Sequence, residues 1–90
     1  MIDDVSFSMR GLKEYIYWQN EDRRTLDKIN KLICDIVRNG NKGIGHPKPL
    51  TADLSGKWSR KIDDKNRLVY KIFPDNVLKI HRCKGHYSDK

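Results

Sequence analysis

The chain is poor in the residues that several protein classes require. It has only two cysteines, Cys34 and Cys83, far apart and in no C-x-x-C pair. That rules against a disulfide-stapled secreted scaffold and leaves no Cys/His spacing suited to zinc. Two reduced thiols in a cytoplasmic protein is the expectation. No apolar run approaches the ~20 residues that cross a bilayer, and no signal peptide is visible, so no membrane partner is expected. Repeats, low-complexity segments and linkers are also missing. The carboxylates do not cluster as a magnesium site needs, so neither a metal nor a cofactor is expected.

What the chain has is positive charge. Its 90 residues carry a formal net charge of +7 and a pI near 9.6. The excess lies after Asn39, from Lys42 to Lys90. Such a field concentrates polyanions and speeds encounter with them. On charge alone, nucleic acid, an acidic protein and an anionic membrane all fit, as does a protein that is basic for no special reason. The length suits one domain with no room for a separate substrate domain, so any active surface must lie on an open face or at a chain end.

The pattern along the chain divides in two. Ile2 to Phe7 reads as a short strand. Ser8 can cap a helix, with Phe7 stapled on Leu12, and Leu12, Tyr15, Ile16 and Gln19 share one side of it. Tyr15, Tyr17 and Trp18 cannot all face a core, which leaves one for an interface. Asp22 caps a second helix whose buried stripe is Leu26, Ile29, Ile33, Ile36 and Val37, and Asn39-Gly40 stops it. Gly40 to Pro49 is a loop stiffened by Pro47 and Pro49. The period then falls to two. Lys57–Asp63, Arg67–Phe73 and Val77–Cys83 read as an antiparallel meander with turns at Asp63-Asp64-Lys65-Asn66 and Pro74-Asp75-Asn76. Helices first and strands after predict an α+β domain, with a helical hairpin on one face of an antiparallel sheet and cations on the other.

The last third carries the chemistry. His86 can exchange a proton near neutrality or be a plain surface histidine. Tyr87 can stack a base, orient a phosphate or fill a niche. Arg67 can grip a phosphate in two places or pair with Asp63 or Asp64 across the turn. Trp58, among Lys57, Arg60 and Lys61, fits either a stacking platform or the core, with the core favoured. Lys48 is a fixed charge or a solvated loop lysine, and His46 is a weaker proton carrier than His86. Without a metal, RNA can still be cut by its own 2′-hydroxyl, given a base, an acid and cations around the phosphorus.

These residues also carry a resemblance. Tyr15-Ile16-Tyr17-Trp18-Gln19, Lys28-Ile29-Asn30-Lys31-Leu32-Ile33, Gly43-Ile44-Gly45-His46-Pro47-Lys48-Pro49-Leu50, Leu54-Ser55-Gly56-Lys57-Trp58-Ser59-Arg60, Arg67-Leu68-Val69-Tyr70 and His86-Tyr87 follow one another in order. Read together, they make a chain that resembles the YoeB/Txe toxins of the RelE superfamily. The resemblance implies a single RelE-like domain over 1–90, with 88–90 a short polar tail. It implies a ribosome-dependent endonuclease that cuts mRNA at the A-site codon. Its implied partners are a YefM-type antitoxin, the ribosome, mRNA and a second copy of itself, with operator DNA reached only through the antitoxin complex. By motif position, Arg67 stabilises the phosphate, His86 is the general acid, Tyr87 positions the nucleotide, and Arg60 and Lys61 hold backbone, with Trp58 and Lys57 beside them.

Two departures bear on mechanism. The family usually places a glutamate, the favoured general base, between the two loop prolines, where this chain has Lys48. An ammonium accepts no proton until its pKa falls by several units. Three accounts stay open: Lys48 acts electrostatically while His46 or His86 takes the proton, the chain is a weakened toxin that only binds the ribosome and antitoxin, or the lysine is an acquired attenuating substitution. Thr51 also replaces a basic residue.

Overall fold

The computed structural model describes residues 1–87. Its elements are β1 (Asp4–Phe7), α1 (Met9–Glu21), α2 (Arg23–Asn39), β2 (Lys48–Pro49), β3 (Trp58–Lys61), β4 (Arg67–Ile72) and β5 (Val77–Arg82), with a single 3₁₀ turn at Ala52–Leu54. The five strands form one sheet in the order β1-β5-β4-β3-β2. Strands β3 to β5 form the expected antiparallel meander, Lys48–Pro49, expected as loop, adds β2 antiparallel to β3, and β1 joins β5 in parallel. The helical hairpin between β1 and the meander returns the chain to the far edge, so the sheet is mixed. The expected polar tail at 88–90 lies outside the described residues.

Local chemistry sets the helix ends. The Ser8 hydroxyl accepts from Gly11 N, and the Asp22 carboxylate accepts from Arg24 N and Thr25 N. Gly40, at φ 67°, ends α2 and donates to the Ile36 carbonyl. The capped α2 buries Leu26, Ile29, Leu32 and Ile36, with Ile33 and Val37 half-buried beside them.

Helix α1 departs from its expected stripe. Gly11 and Trp18 are its buried residues, while Leu12 and Ile16 are exposed. The cause is close approach to the sheet. A Cβ on Gly11 would sit 2.5 Å from the Ile80 carbonyl oxygen, so the glycine face, not the leucine face, meets β5. Phe7 consequently packs on Tyr15, with ring centroids 5.2 Å apart, rather than on Leu12. The core closes with Leu68, Tyr70, Leu78 and Ile80 from β4 and β5.

Candidate active site

A cleft of about 290 Å³ opens at the end of the sheet where β3 passes into β4, lined by His46, Lys48, Ser59, Lys61, Arg67, His86 and Tyr87. None of these is a carboxylate. Arg67 and His86, expected around one phosphate, share this cleft, as do His46, Lys48, Lys61 and Tyr87. Lys57 and Trp58 lie outside it. Trp58 is half-buried against the core, which agrees with the favoured reading.

Arg60 is a correction. It was expected to hold RNA backbone, but its side chain is wholly buried. Residue alternation on β3 turns Arg60 to the helix side, next to Tyr70, while Ser59 and Lys61 face the cleft. Every N–H of the guanidinium is used. Nε donates to the Tyr70 hydroxyl, one terminal nitrogen donates to Asp35 and the Ile44 carbonyl, and the other donates to the Gly40 and Lys42 carbonyls. Arg60 therefore ties α2 and the loop from Gly40 to Ile44 to the sheet. The Arg60 guanidinium in turn holds the Asp35 carboxyl below its usual pKa, against the opposing effect of burial.

This clamp explains the loop's glycines. A Cβ on Gly43 would fall 1.9 Å from the Asp35 carboxylate, and Gly45, at φ 79°, would meet Leu32 at 2.8 Å. The Gly45 carbonyl accepts from Lys61 N at 2.7 Å, which fixes the chain just before His46 and Lys48. His46 has φ 53°, a left-handed conformation uncommon for a residue other than glycine. The strain sits where an imidazole enters the cleft.

The opposite wall is the segment after β5. The Asn66 side chain accepts from Gly85 N at 2.8 Å, and Arg67 N donates to the Gly85 carbonyl at 3.0 Å. The chain is thus pinned on both sides of the residue preceding His86. Asn66 also donates to the Asp63 carboxylate, which accepts from Lys65 N and Asn66 N as well. Among the described residues, no carboxylate forms an ion pair with Arg67. It donates instead to the backbone carbonyls of Asp63 and Asn66, which aim the guanidinium. Arg82 donates to the His86 and Tyr87 carbonyls, and the His86 and Tyr87 rings lie tilted by 34° with centroids 4.3 Å apart. Further back, Glu14 and Trp18 of α1 hold the two sides of Cys83. Burial and the nearby Glu14 push the Cys83 thiol up to about 12, so it is an inert packing group.

Sequence reading missed Asn66 and Asp35. Asn66 was legible only as a turn residue, and Asp35 only as a polar position on α2. Neither signals a partner distant in sequence.

The sheet order, the helical hairpin and the cleft define a RelE-like toxin fold. The sequence family described as the YoeB-like toxin of bacterial type II toxin–antitoxin systems matches residues 7–87. Toxin YoeB of Streptomyces coelicolor is 47% identical over 83 residues, covering 92% of this chain and 98% of that protein. The YoeB–YefM complex from Staphylococcus aureus matches with a TM-score of 0.87 at 40% identity, covering 97% of this chain and 99% of that one. The YoeB dimer from the same organism matches at 0.85 and 42% identity, covering 93% and 97%. The chain belongs to the YoeB-like toxins.

Proposed function

We propose that the chain is a ribosome-dependent endoribonuclease that cuts mRNA without a metal, using the 2′-hydroxyl of the message as nucleophile. The observation that carries this reading is the grouping of His46 and His86 in one cleft with Arg67, Lys61 and Lys48. His46 takes the 2′-hydroxyl proton, and the 2′-oxygen attacks the adjacent phosphorus. His86 protonates the departing 5′-oxygen, leaving a 2′,3′-cyclic phosphate on the upstream fragment. Arg67, Lys61 and Lys48 stabilise the charge that gathers on the phosphoryl oxygens. Tyr87, its ring in tilted contact with His86, positions the scissile nucleotide. Lys48 thus supplies charge where a carboxylate base would otherwise stand.

The partners follow the same reading. A YefM-type antitoxin neutralises the toxin, and the toxin forms a homodimer; the similar staphylococcal structures are a YoeB–YefM complex and a YoeB dimer. Operator DNA is reached only through the antitoxin complex. The ribosome as target puts the action in the cytoplasm.

The test uses ribosomes programmed with a defined message. The expected product carries a cyclic phosphate end, and a message with 2′-deoxyribose at the cleaved position resists. His86→Ala is expected to lower the rate about 10²–10⁴-fold. His46→Ala is expected to lower it by a similar factor. Lys48 favours a second reading, a binding module that occupies ribosome and antitoxin without cutting. Intact message at every pH establishes that reading instead. Lys48→Glu then separates the roles: a faster enzyme means an impaired base position, and a slower one means that the ammonium itself contributes.

A further inference from the structure

The open face of the sheet carries a second group of cations outside the cleft. Lys71 of β4 stands directly opposite Lys79 of β5. Lys57, one residue before Trp58, whose partner is Tyr70, continues the row across β3. Like charges directly opposite one another on adjacent strands destabilise a sheet. Among the described residues, no carboxylate forms an ion pair with any of the three. Their stems are half-buried, so the row is held on the sheet rather than waving in solvent. His81, on the same face, senses all three lysines, and together with its burial they depress its pKa to about 4.

The row is aligned with the cleft. Arg67 and Lys71 lie on the same face of β4, four residues apart, which is about 13 Å along a strand. Between them Ser59 and Val69 form a buried, uncharged floor. A single strand leaving the cleft covers that distance in roughly two to four nucleotides, taking ~3.4 Å for a stacked step and about twice that when extended.

We infer that Lys57, Lys71 and Lys79 form a phosphate-binding track that holds the RNA strand a few nucleotides from the scissile bond. The track rests on the nuclease reading for its ligand, but not for its existence as a binding surface. RNA is favoured over an acidic peptide because the row continues from Arg67 and Lys61 at a spacing that suits a regular polyanion.

The experiment measures binding of 2′-O-methyl oligouridylates, which cannot be cut, from three to six nucleotides at 50 to 200 mM salt. The protein is expected to bind the hexamer more tightly than the trimer. In Lys71→Gln/Lys79→Gln this gain disappears while trimer binding persists. The log–log salt slope for the hexamer should shrink by about 1.4, or roughly sevenfold in affinity over that salt range, at ~0.7 per phosphate contact on a single strand. Removal of opposed like charges leaves the far-ultraviolet circular dichroism unchanged, and Lys79→Gln alone shows half the effect. Equal gain with length in wild type and variant overturns the track. So does unchanged RNA binding with weakened binding of a polyglutamate peptide, which would assign the face to an acidic protein. A lost gain in the variant together with an uncut message on ribosomes leaves the track standing and removes the nuclease.

Discussion

The two walls of the cleft are built by different physics. The loop wall, carrying His46 and Lys48, hangs on one charged residue, Arg60, which satisfies three loop carbonyls and Asp35 at once. The C-terminal wall, carrying His86 and Tyr87, is distributed. Asn66, Arg67 N, Arg82, Glu14 and Trp18 each contribute a bond or two. A single buried cation organises a glycine-rich loop that has little core of its own, but its loss leaves several polar groups stranded together. A wall of separate bonds fails piecemeal. His46 and His86 thus sit on a brittle support and a graded one.

Arg60→Met should expose that difference most. It removes the donor to the Gly40, Lys42 and Ile44 carbonyls, and each acceptor left unsatisfied costs about 1–3 kcal/mol. Set against the ~5–15 kcal/mol of a whole domain, the loss is visible as a large drop in urea midpoint. Arg60→Lys recovers little, because an ammonium cannot match five donors in a planar fork. A small stability loss with the loop wall intact would break the comparison.

Asn66→Ala should act on the other wall and more gently. It removes the acceptor for Gly85 N, a change worth about 1 kcal/mol of stability. Its larger effect is expected on catalysis. His86 loses its fixed approach, so kcat on programmed ribosomes falls about tenfold or more while ribosome affinity is retained. Asn66→Asp keeps the acceptor but sets a second carboxylate against Asp63, to which Asn66 donates, so it should recover only part of the rate. A change in affinity instead would mean that Asn66 touches RNA.

How much of this was legible in the sequence depends on the range of the interactions. The caps at Ser8 and Asp22, the stop at Gly40 and the meander register with their own neighbours, and pattern finds them. The grouping of His46, Lys48, Lys61, Arg67, His86 and Tyr87 came from motif order, because nothing in local spacing links His46 to His86. Arg60 was misplaced because a cation among cations looks like surface. Its burial depends on Asp35, twenty-five residues earlier and on another element. The α1 stripe was misread because a glycine carries no hydrophobicity, yet Gly11 decides which face can approach β5. The parallel pairing of β1 is a long-range event that no local period encodes.

Acid should loosen the two walls in sequence. His81 lies on β5 just before the C-terminal wall. Burial first, then Lys57, Lys79 and Lys71, lower its folded pKa from 6.5 to about 4. Between those values the unfolded chain binds a proton that the folded chain refuses, so stability falls as pH drops from about 6.5 toward 4. The Asp35 carboxyl is held below its ordinary 3.8 by Arg60, so the loop wall keeps its clamp through that range and loses it only in stronger acid. Hydrogen exchange separates the two. The Gly85 and Arg67 amides should lose protection between pH 6.5 and 4, while the Lys61 amide, bonded to Gly45, should hold until lower pH. His81→Gln should flatten the first transition and leave the second. Lys71→Gln/Lys79→Gln should raise the folded pKa of His81 and narrow the first window from below. Loss of protection at both walls together would show that one cooperative unit, not two supports of different kind, frames the cleft.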